Sequence, residues 1–327
     1  MREINLLTAD PLSLTRPAYQ PEGEQAFYEK SLSPHTRRAY LRVLREFFRT
    51  LRGLPPPAVT PKHVLAWREL LMKRRQKPNT VAFKLSVIRS FFAYLVAGGI
   101  VELNPAASTL VPPPPAPEAL TGRALTAREA RLLLAAPDRQ TVSGARDYAL
   151  LLTMLRLSLR VAEVCALRSS SLHWSHGRWI VKFTGKGSRE RTLPLPDEVR
   201  LALKEYLALD QTRRKNLHSE GETAFLFQPL VNYRTLIFAK PLSERMVHTL
   251  VKKWGDYSGL GKLSPHDLRR TAITRALDQG LSYRQVQMMS GHKDPKTVMR
   301  YDHGRENLAL NAVNFLGYEE GDSVPAK

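Results

Sequence analysis

Seven side chains along this sequence could act on an anion or a proton: Arg160, Glu163, Lys186, His266, Arg269, His292 and Tyr301. Guanidinium and ammonium groups bind anions, imidazoles exchange protons near neutral pH, and a phenol is a latent nucleophile. Arg160 interrupts two apolar helical patterns, Ala145 to Leu157 and Val161 to Leu167, so it needs a charged partner, and Glu163 one turn later is the nearest. Taken alone, that pair reads as a structural ion pair. Lys186 stands near the tip of an expected β-hairpin, and alone it reads as an exposed lysine. His266 and Arg269, three residues apart, share one face of a helix opened by Ser264 and Pro265. His292 follows Gly291 at the end of a helix capped by Ser282 and Gln285, and Tyr301 comes nine residues later. The stretch Leu281 to Tyr301 alone could pass for a helix-turn-helix. The histidine and the anion-binding groups around it are more than a groove reader requires.

The elements that must position these groups fall into two parts. Residues 31–110 read as three helices: one from Ser33-Pro34 with Tyr40, Leu44, Phe47 and Leu51 on its apolar face, one over about Thr60 to Arg75, and one from Asn79 to about Ala97. The third carries Val81, Leu85, Ile88, Phe92 and Leu95 as its core stripe, and Gly98-Gly99 ends it. Residues 1–30, broken by Pro11, Pro17, Pro21 and Gly23, read as a flexible leader, and the proline run of 111–122 as a semi-rigid spacer. The part over 123–327 opens with the capping box Thr126-x-x-Glu129. It then carries the hairpin, Arg178 to Phe183 outward and Arg189 to Leu195 back, with Trp179, Val181 and Phe183 on one face. Its GKGS string is not a nucleotide-binding loop, because Ile180 stands where that motif needs a glycine and a strand follows where it needs a helix. The fold class expected is mainly α with a small β-hairpin or sheet.

Charge narrows the partner. The 327 residues hold 50 Lys or Arg against 30 Asp or Glu, so a polyanion is expected. Residues 31–110 are especially basic, with 14 Lys or Arg against three acids. Within them Arg38, Arg42, Arg45 and Arg49 repeat at helical spacing, forming a line suited to a phosphate backbone. The single cysteine, Cys165, excludes an intrachain disulfide. No run approaches the roughly 18 apolar residues of a membrane span, and the N-terminus lacks a signal-peptide layout, so no membrane is expected and the location expected is cytoplasmic. No clustered Asp-Glu set of the kind that binds two metals is present, so neither metal nor cofactor is expected.

Five segments together resemble the tyrosine recombinase, or phage integrase, family: LRVAEVCAL around Arg160, FTGKGSRERTLPL around Lys186, HDLRRT at His266 to Thr271, SGH at Ser290 to His292, and RYDH around Tyr301. The order and spacing of these motifs fit, and the resemblance covers nearly the whole chain. Ser158 stands where many members have glycine, and Ser290 where many have leucine; neither change removes a reactive group. The resemblance implies a helical core-binding domain followed by a catalytic domain. It implies that Tyr301 attacks a DNA phosphodiester to leave a 3′-phosphotyrosyl link and a free 5′-hydroxyl, and that Arg160 and Arg269 hold the non-bridging oxygens. His292 would donate to the phosphate, Lys186 would protonate the departing oxygen, His266 would exchange the Tyr301 proton, and Glu163 would orient Arg160 or a neighbour. The implied partners are double-stranded DNA, further copies of the chain in a tetramer on DNA, and an accessory DNA-bending or partner recombinase protein. A type IB topoisomerase-like enzyme shares this chemistry, and a regulator with a decayed site shares the fold; both stay open at this point. The apolar tail of Leu308, Leu310, Val313, Phe315 and Leu316 suits docking on a neighbouring protomer or folding back equally well.

Overall fold

The computed structural model describes residues 19–29, 34–115, 122–185, 189–230 and 239–302. The chain divides into two compact units, Met1–Pro117 and Glu118–Lys327.

The first unit is built on α2 (Pro34–Thr50), α3 (Pro61–Lys73) and α4 (Pro78–Ala97). Their apolar faces meet because side chains three and four residues apart stack on one side of a helix. Leu44, Phe47, Trp67, Leu71, Leu85, Ile88, Phe91 and Phe92 are buried, and the Phe47 and Trp67 rings meet edge to face at 5.0 Å. The helix α4 is long and apolar enough by composition to cross a membrane, yet its apolar face, from Val81 to Leu95, fills this core. Gly98 caps it, and Gly99 takes the left-handed conformation (φ 67°) that stops the helix.

The leader expected over 1–30 needs correction in its described portion. Pro21–Gly23 forms a 3₁₀ turn and Gln25–Glu29 a short helix, α1, and Phe27 is buried against Tyr40, Phe91 and Tyr94. Glu22 pairs with Arg45 on α2, and Tyr19 N–H donates to Gly53 O. Proline and glycine interrupt regular helix here, but the aromatic side chains between them still have a core to enter. The spacer begins later than expected for the same reason: Val111 is buried in the first core, and Arg68 and Arg89 donate to the carbonyls of Pro112 and Val111.

In the second unit, α6 (Val142–Leu157) is the central helix, and Ala149, Leu150, Leu151 and Met154 are fully buried. Packed around it are α5 (Ala127–Ala135), α7 (Val161–Cys165), α8 (Asp197–Leu209) and α11 (Pro265–Asp278); α9 (Gln211–Asn216) follows α8. The buried Asp147 carboxylate of α6 accepts from Arg146 Nε and Nη2 and from Trp254 Nε1, which ties α6 to α10 (Glu244–Tyr257).

The sheet has three antiparallel strands rather than two: β1 (Leu172–Ser175), β2 (Arg178–Thr184) and β3 (Glu190–Pro194), in that order. The unforeseen strand β1 joins β2 through His176-Gly177, both at positive φ (49° and 72°), as a tight two-residue hairpin requires. Val181 of β2 sits opposite Leu193 of β3, and Val181, Phe183, Leu193 and Leu195 turn inward to the core. Two short helices, α12 (Tyr283–Ser290) and α13 (Pro295–Met299), end the described chain.

Candidate active site

Arg160 reaches its position through a backbone break. The helix α6 ends at Leu157, and Ser158 then adopts the left-handed conformation (φ 52°), fully buried, with no hydrogen-bond partner for its hydroxyl. Arg160 becomes the N-cap of α7. Glu163, three residues on, accepts the Arg160 backbone N–H at 2.8 Å with one oxygen and Arg160 Nη1 at 2.8 Å with the other. The Arg160–Glu163 partnership read from the sequence is therefore present. Glu163 is buried, whereas the Arg160 side chain keeps 31% exposure and can reach a ligand.

Arg269 is placed by α11, whose start is fixed by Ser264. The Ser264 hydroxyl donates to Asp267 Oδ2 at 2.6 Å and accepts the Asp267 N–H, with Pro265 at the first helical position. Arg269 is 3% exposed, and its guanidinium donates to Ser158 O and, at 2.7 Å, to Ser290 O. It thus joins the end of α6 to the end of α12. His266, on the first turn of α11, is open to solvent on one side.

His292 owes its orientation to Gly291, which ends α12 at φ 67° with its N–H on Gln287 O. The Gln287 side chain returns the contact, donating to His292 O at 2.9 Å and Lys293 O at 3.1 Å. Arg269 Nη2 lies 3.3 Å from His292 Nε2, and Ser290 Oγ lies 2.9 Å from His292 Nδ1. A guanidinium can only donate, so Nε2 accepts and Nδ1 carries the proton that Ser290 receives.

Tyr301 follows α13, whose cap Asp294 accepts the Lys296 N–H at 2.9 Å. The Tyr301 side chain is 3% exposed, in a small core with Ile273, Ala276, Val286 and Val298. Its ring stacks on His292, with centroids 5.8 Å apart and planes inclined by 27°, and the Arg270 guanidinium carbon lies 5.4 Å from the ring centroid. Residues from four separate segments, Arg160, Arg269, His292 and Tyr301, therefore meet in one region.

The electrostatics of this region are set by burial and by crowded cations. Burial, then Arg269 and Arg160, push His292 down to about 4. Desolvation by the surrounding side chains and the nearby Arg270 and Arg269 charges lower the partly covered ring of His266 as well, so both imidazoles are neutral at pH 7. Burial first, and Arg160 second, bring Arg269 down to about 10. Among the described residues, no three His, Cys, Asp or Glu side chains are grouped to hold a metal ion.

Lys186 and the apolar tail from Leu308 lie outside the described residues. The base of the Lys186 hairpin closes through Gly185 N–H on Arg189 O at 2.7 Å. It passes beside Glu163, because a Cβ added to Gly185 would lie 3.5 Å from Glu163 Oε1. Arg38, Arg42, Arg45 and Arg49 sit in the first unit, all exposed on α2, and line a groove that Arg52 and Glu22 complete.

One participant escaped the sequence reading. Arg191 of β3 lies against Glu163, with Nη1 3.7 Å from Oε2. Its signal was present: Arg191, Leu193 and Leu195 share the inward register of the strand, and an arginine in that series needs a buried partner.

Comparison with known proteins identifies the family. Residues 123–307 match the phage integrase family, and residues 24–99 match the phage integrase N-terminal SAM-like domain. The tyrosine recombinase XerC of Thermodesulfovibrio yellowstonii is 34% identical over 278 residues, which span 84% of this chain and 87% of that protein. XerD of Xanthomonas campestris pv. campestris is 34% identical over 243 residues, 72% of this chain and 70% of that one. In fold, the chain is similar to XerH bound to palindromic difH in a post-cleavage complex (TM-score 0.70, 15% identity, 93% of this chain and 91% of that one). It is also similar to a lambda integrase dimer on a core site (TM-score 0.64, 18% identity, 87% and 95%). From a match that takes in both units and all five sequence motifs, the chain belongs to the phage integrase family, that of the tyrosine recombinases.

Proposed function

We propose that the chain is a site-specific DNA recombinase that cuts and rejoins strands of double-stranded DNA through Tyr301. The observation that carries this reading is the meeting of two guanidinium groups (Arg160, Arg191) on one carboxylate, Glu163, with a third (Arg269) held by carbonyl oxygens beside a neutral imidazole and a phenol. Three positive charges against one leave an excess suited to a phosphodiester.

In this scheme Arg160 and Arg269 each hold a non-bridging oxygen, and the negative charge that builds up in the transition state is stabilised there. The Tyr301 oxygen bonds to phosphorus, the bond to the 5′-oxygen breaks, and Lys186 gives that oxygen its proton. His266, neutral at pH 7, takes the proton Tyr301 releases. The exchange conserves the bond energy, so a second strand's 5′-hydroxyl reverses it. Glu163 keeps Arg160 in place. Because Tyr301 is stacked on His292 and closed to solvent, attack requires the α13 segment to present it.

The arginine row of α2 supplies backbone contacts in the helical core-binding part, which takes in α1 and reaches Val111, and the proline-rich stretch that follows links it to the catalytic part (123–327). XerH and lambda integrase, bound to DNA in their structures, support double-stranded DNA as the partner and more than one copy on it, a tetramer in the complete reaction. The location that follows is with the DNA in the cytoplasm, and an accessory DNA-bending or partner recombinase protein fits the same scheme.

The test is a suicide substrate that traps the covalent complex. The Tyr301→Phe protein is expected to bind DNA as the wild type does and to form no adduct, and recombined products are expected from the wild type with uncut partner sites. An adduct that persists in Tyr301→Phe would move the nucleophile elsewhere. The first place to look would be Tyr283, whose hydroxyl donates to Asp302. Relaxation of supercoiled DNA with no recombined product would overturn the recombinase reading.

A further inference from the structure

Arg191 stands two positions before the buried Leu193 of β3, on the inward face of the strand, with its guanidinium 5.0 Å from the centre of the Phe183 ring. Nη2 donates to Met289 O at 2.8 Å and more weakly to Met288 O at 3.4 Å, at the last turn of α12. Nη1 faces Glu163 at 3.7 Å; it is closed to solvent and has no hydrogen-bond partner. On its other side the guanidinium fills the space in front of Gly291, where a Cβ would fall 2.5 Å from its central carbon. Burial lowers its affinity for the proton, although Glu163 opposes that effect.

Three segments far apart in sequence therefore meet on one planar fork: the hairpin that carries Lys186, the α7 turn whose Glu163 holds Arg160, and the α12 end that leads to His292. A cation buried with one nitrogen lacking a hydrogen-bond partner is expensive, and that expense points to a use for its position in the site. We infer that Arg191 is a positioning residue for the strand-cleavage reaction, a clamp that fixes the hairpin, Glu163 and the Ser290–His292 turn relative to one another and so sets where the phosphate-binding donors converge.

This inference rests on the proposed reaction at Tyr301. It also explains why a planar group is needed: a lysine would keep the charge, but as a single point it could not face Glu163, bond the Met289 carbonyl and stack on Phe183 together. A displacement of about 1 Å in such a shell costs roughly 100-fold in rate.

The experiment is single-turnover cleavage of a suicide substrate by the full chain, wild type against Arg191→Ala and Arg191→Lys, with DNA affinity measured in parallel and folding checked by circular dichroism. Cleavage is expected to fall about 100-fold in Arg191→Ala, and at least about tenfold in Arg191→Lys, with affinity kept within about threefold. Should the alanine protein not fold, the lysine protein carries the comparison. Cleavage within threefold of wild type in either folded variant would overturn the clamp, and so would a loss matched by lost affinity, which would make Arg191 a DNA contact. Gly291→Ala supplies a second arm. Its backbone strain is common to both backgrounds, so its effect on cleavage should be several-fold larger with Arg191 present than in Arg191→Ala, and equal effects would refute the contact. A wild-type chain that formed no adduct would instead remove the reaction itself, and the inference with it.

Discussion

His292 offers a direct reading of the site's electrostatics through pH. Its folded value of about 4 lies well below the 6.5 of a free imidazole, because burial and then the Arg269 and Arg160 charges oppose protonation. Between these two values the unfolded chain binds more protons than the folded one, so stability rises with pH across that window and is lost as pH falls through it. From pH 7 to pH 5 the full linkage is about 2 kcal/mol, and the partial exposure of the ring brings it to about 1–2 kcal/mol. The perturbation is His292→Gln, measured by urea denaturation at both pH values in the absence of DNA. The wild type should lose about 1–2 kcal/mol more than the variant on acidification. His266, which shifts in the same direction, is present in both proteins and drops out of the difference. Parallel losses, or an imidazole that titrates near 6.5 by NMR in the folded protein, would refute the assignment of Nε2 as an acceptor from Arg269. In the proposed reaction a phosphate would reverse the situation: it would draw Arg269 Nη2 to its own oxygens and supply the charge that lets Nε2 take up a proton and donate.

Two further outcomes test other parts of the molecule. Ser158 holds a left-handed conformation that costs a non-glycine residue about 1–2 kcal/mol, and its buried hydroxyl has no partner, so Ser158→Gly should raise stability by about 1 kcal/mol after the added freedom of the unfolded chain is counted; a loss of stability in urea denaturation would contradict this. For the first unit, replacing Arg38, Arg42 and Arg49 together by alanine should reduce the salt dependence of DNA binding by about three in the slope of log Kobs against log salt. An unchanged slope would show that the row does not meet phosphates. Arg45 is left in place because Glu22 already engages it.

Periodicity carried much of the fold. The stripe Val81, Leu85, Ile88, Phe92 and Leu95 is buried throughout, and the capping boxes at Thr126, Ser264 and Ser282 start the helices they announce. What periodicity could not carry were elements defined by their partners. Strand β1 is four residues long and depends on pairing with β2, and α1 depends on Phe27 finding the aromatic cluster of α2 and α4. The site was legible as a set of residue types in order, because the motifs fix which groups are present. The way each group is held was not legible. Nothing local in the sequence says that Arg269 bonds the carbonyl of a residue 111 positions earlier, or that Tyr301 is closed to solvent while its neighbour Arg300 is exposed.

That manner of holding decides what the site can do. Arg269 is almost wholly buried, yet its bonds run to the Ser158 and Ser290 carbonyls and to a neutral ring. Carbonyl oxygens fix a guanidinium in direction without cancelling its charge, whereas a carboxylate would do both. Glu163 does neutralise, but it is shared between Arg160 and Arg191, so each arginine keeps part of its charge unspoken for. At an effective dielectric of 20, one unit charge 4–5 Å from another is worth about 3–4 kcal/mol. A second carboxylate beside Arg269 would therefore remove an attraction of about that size from an arriving phosphate. Burial and the crowding of these cations oppose their charged forms, as the lowered proton affinity of Arg269 and His292 shows. In the proposed reaction a dianionic transition state between them would relieve that opposition, which is where catalysis by differential binding needs the relief to fall.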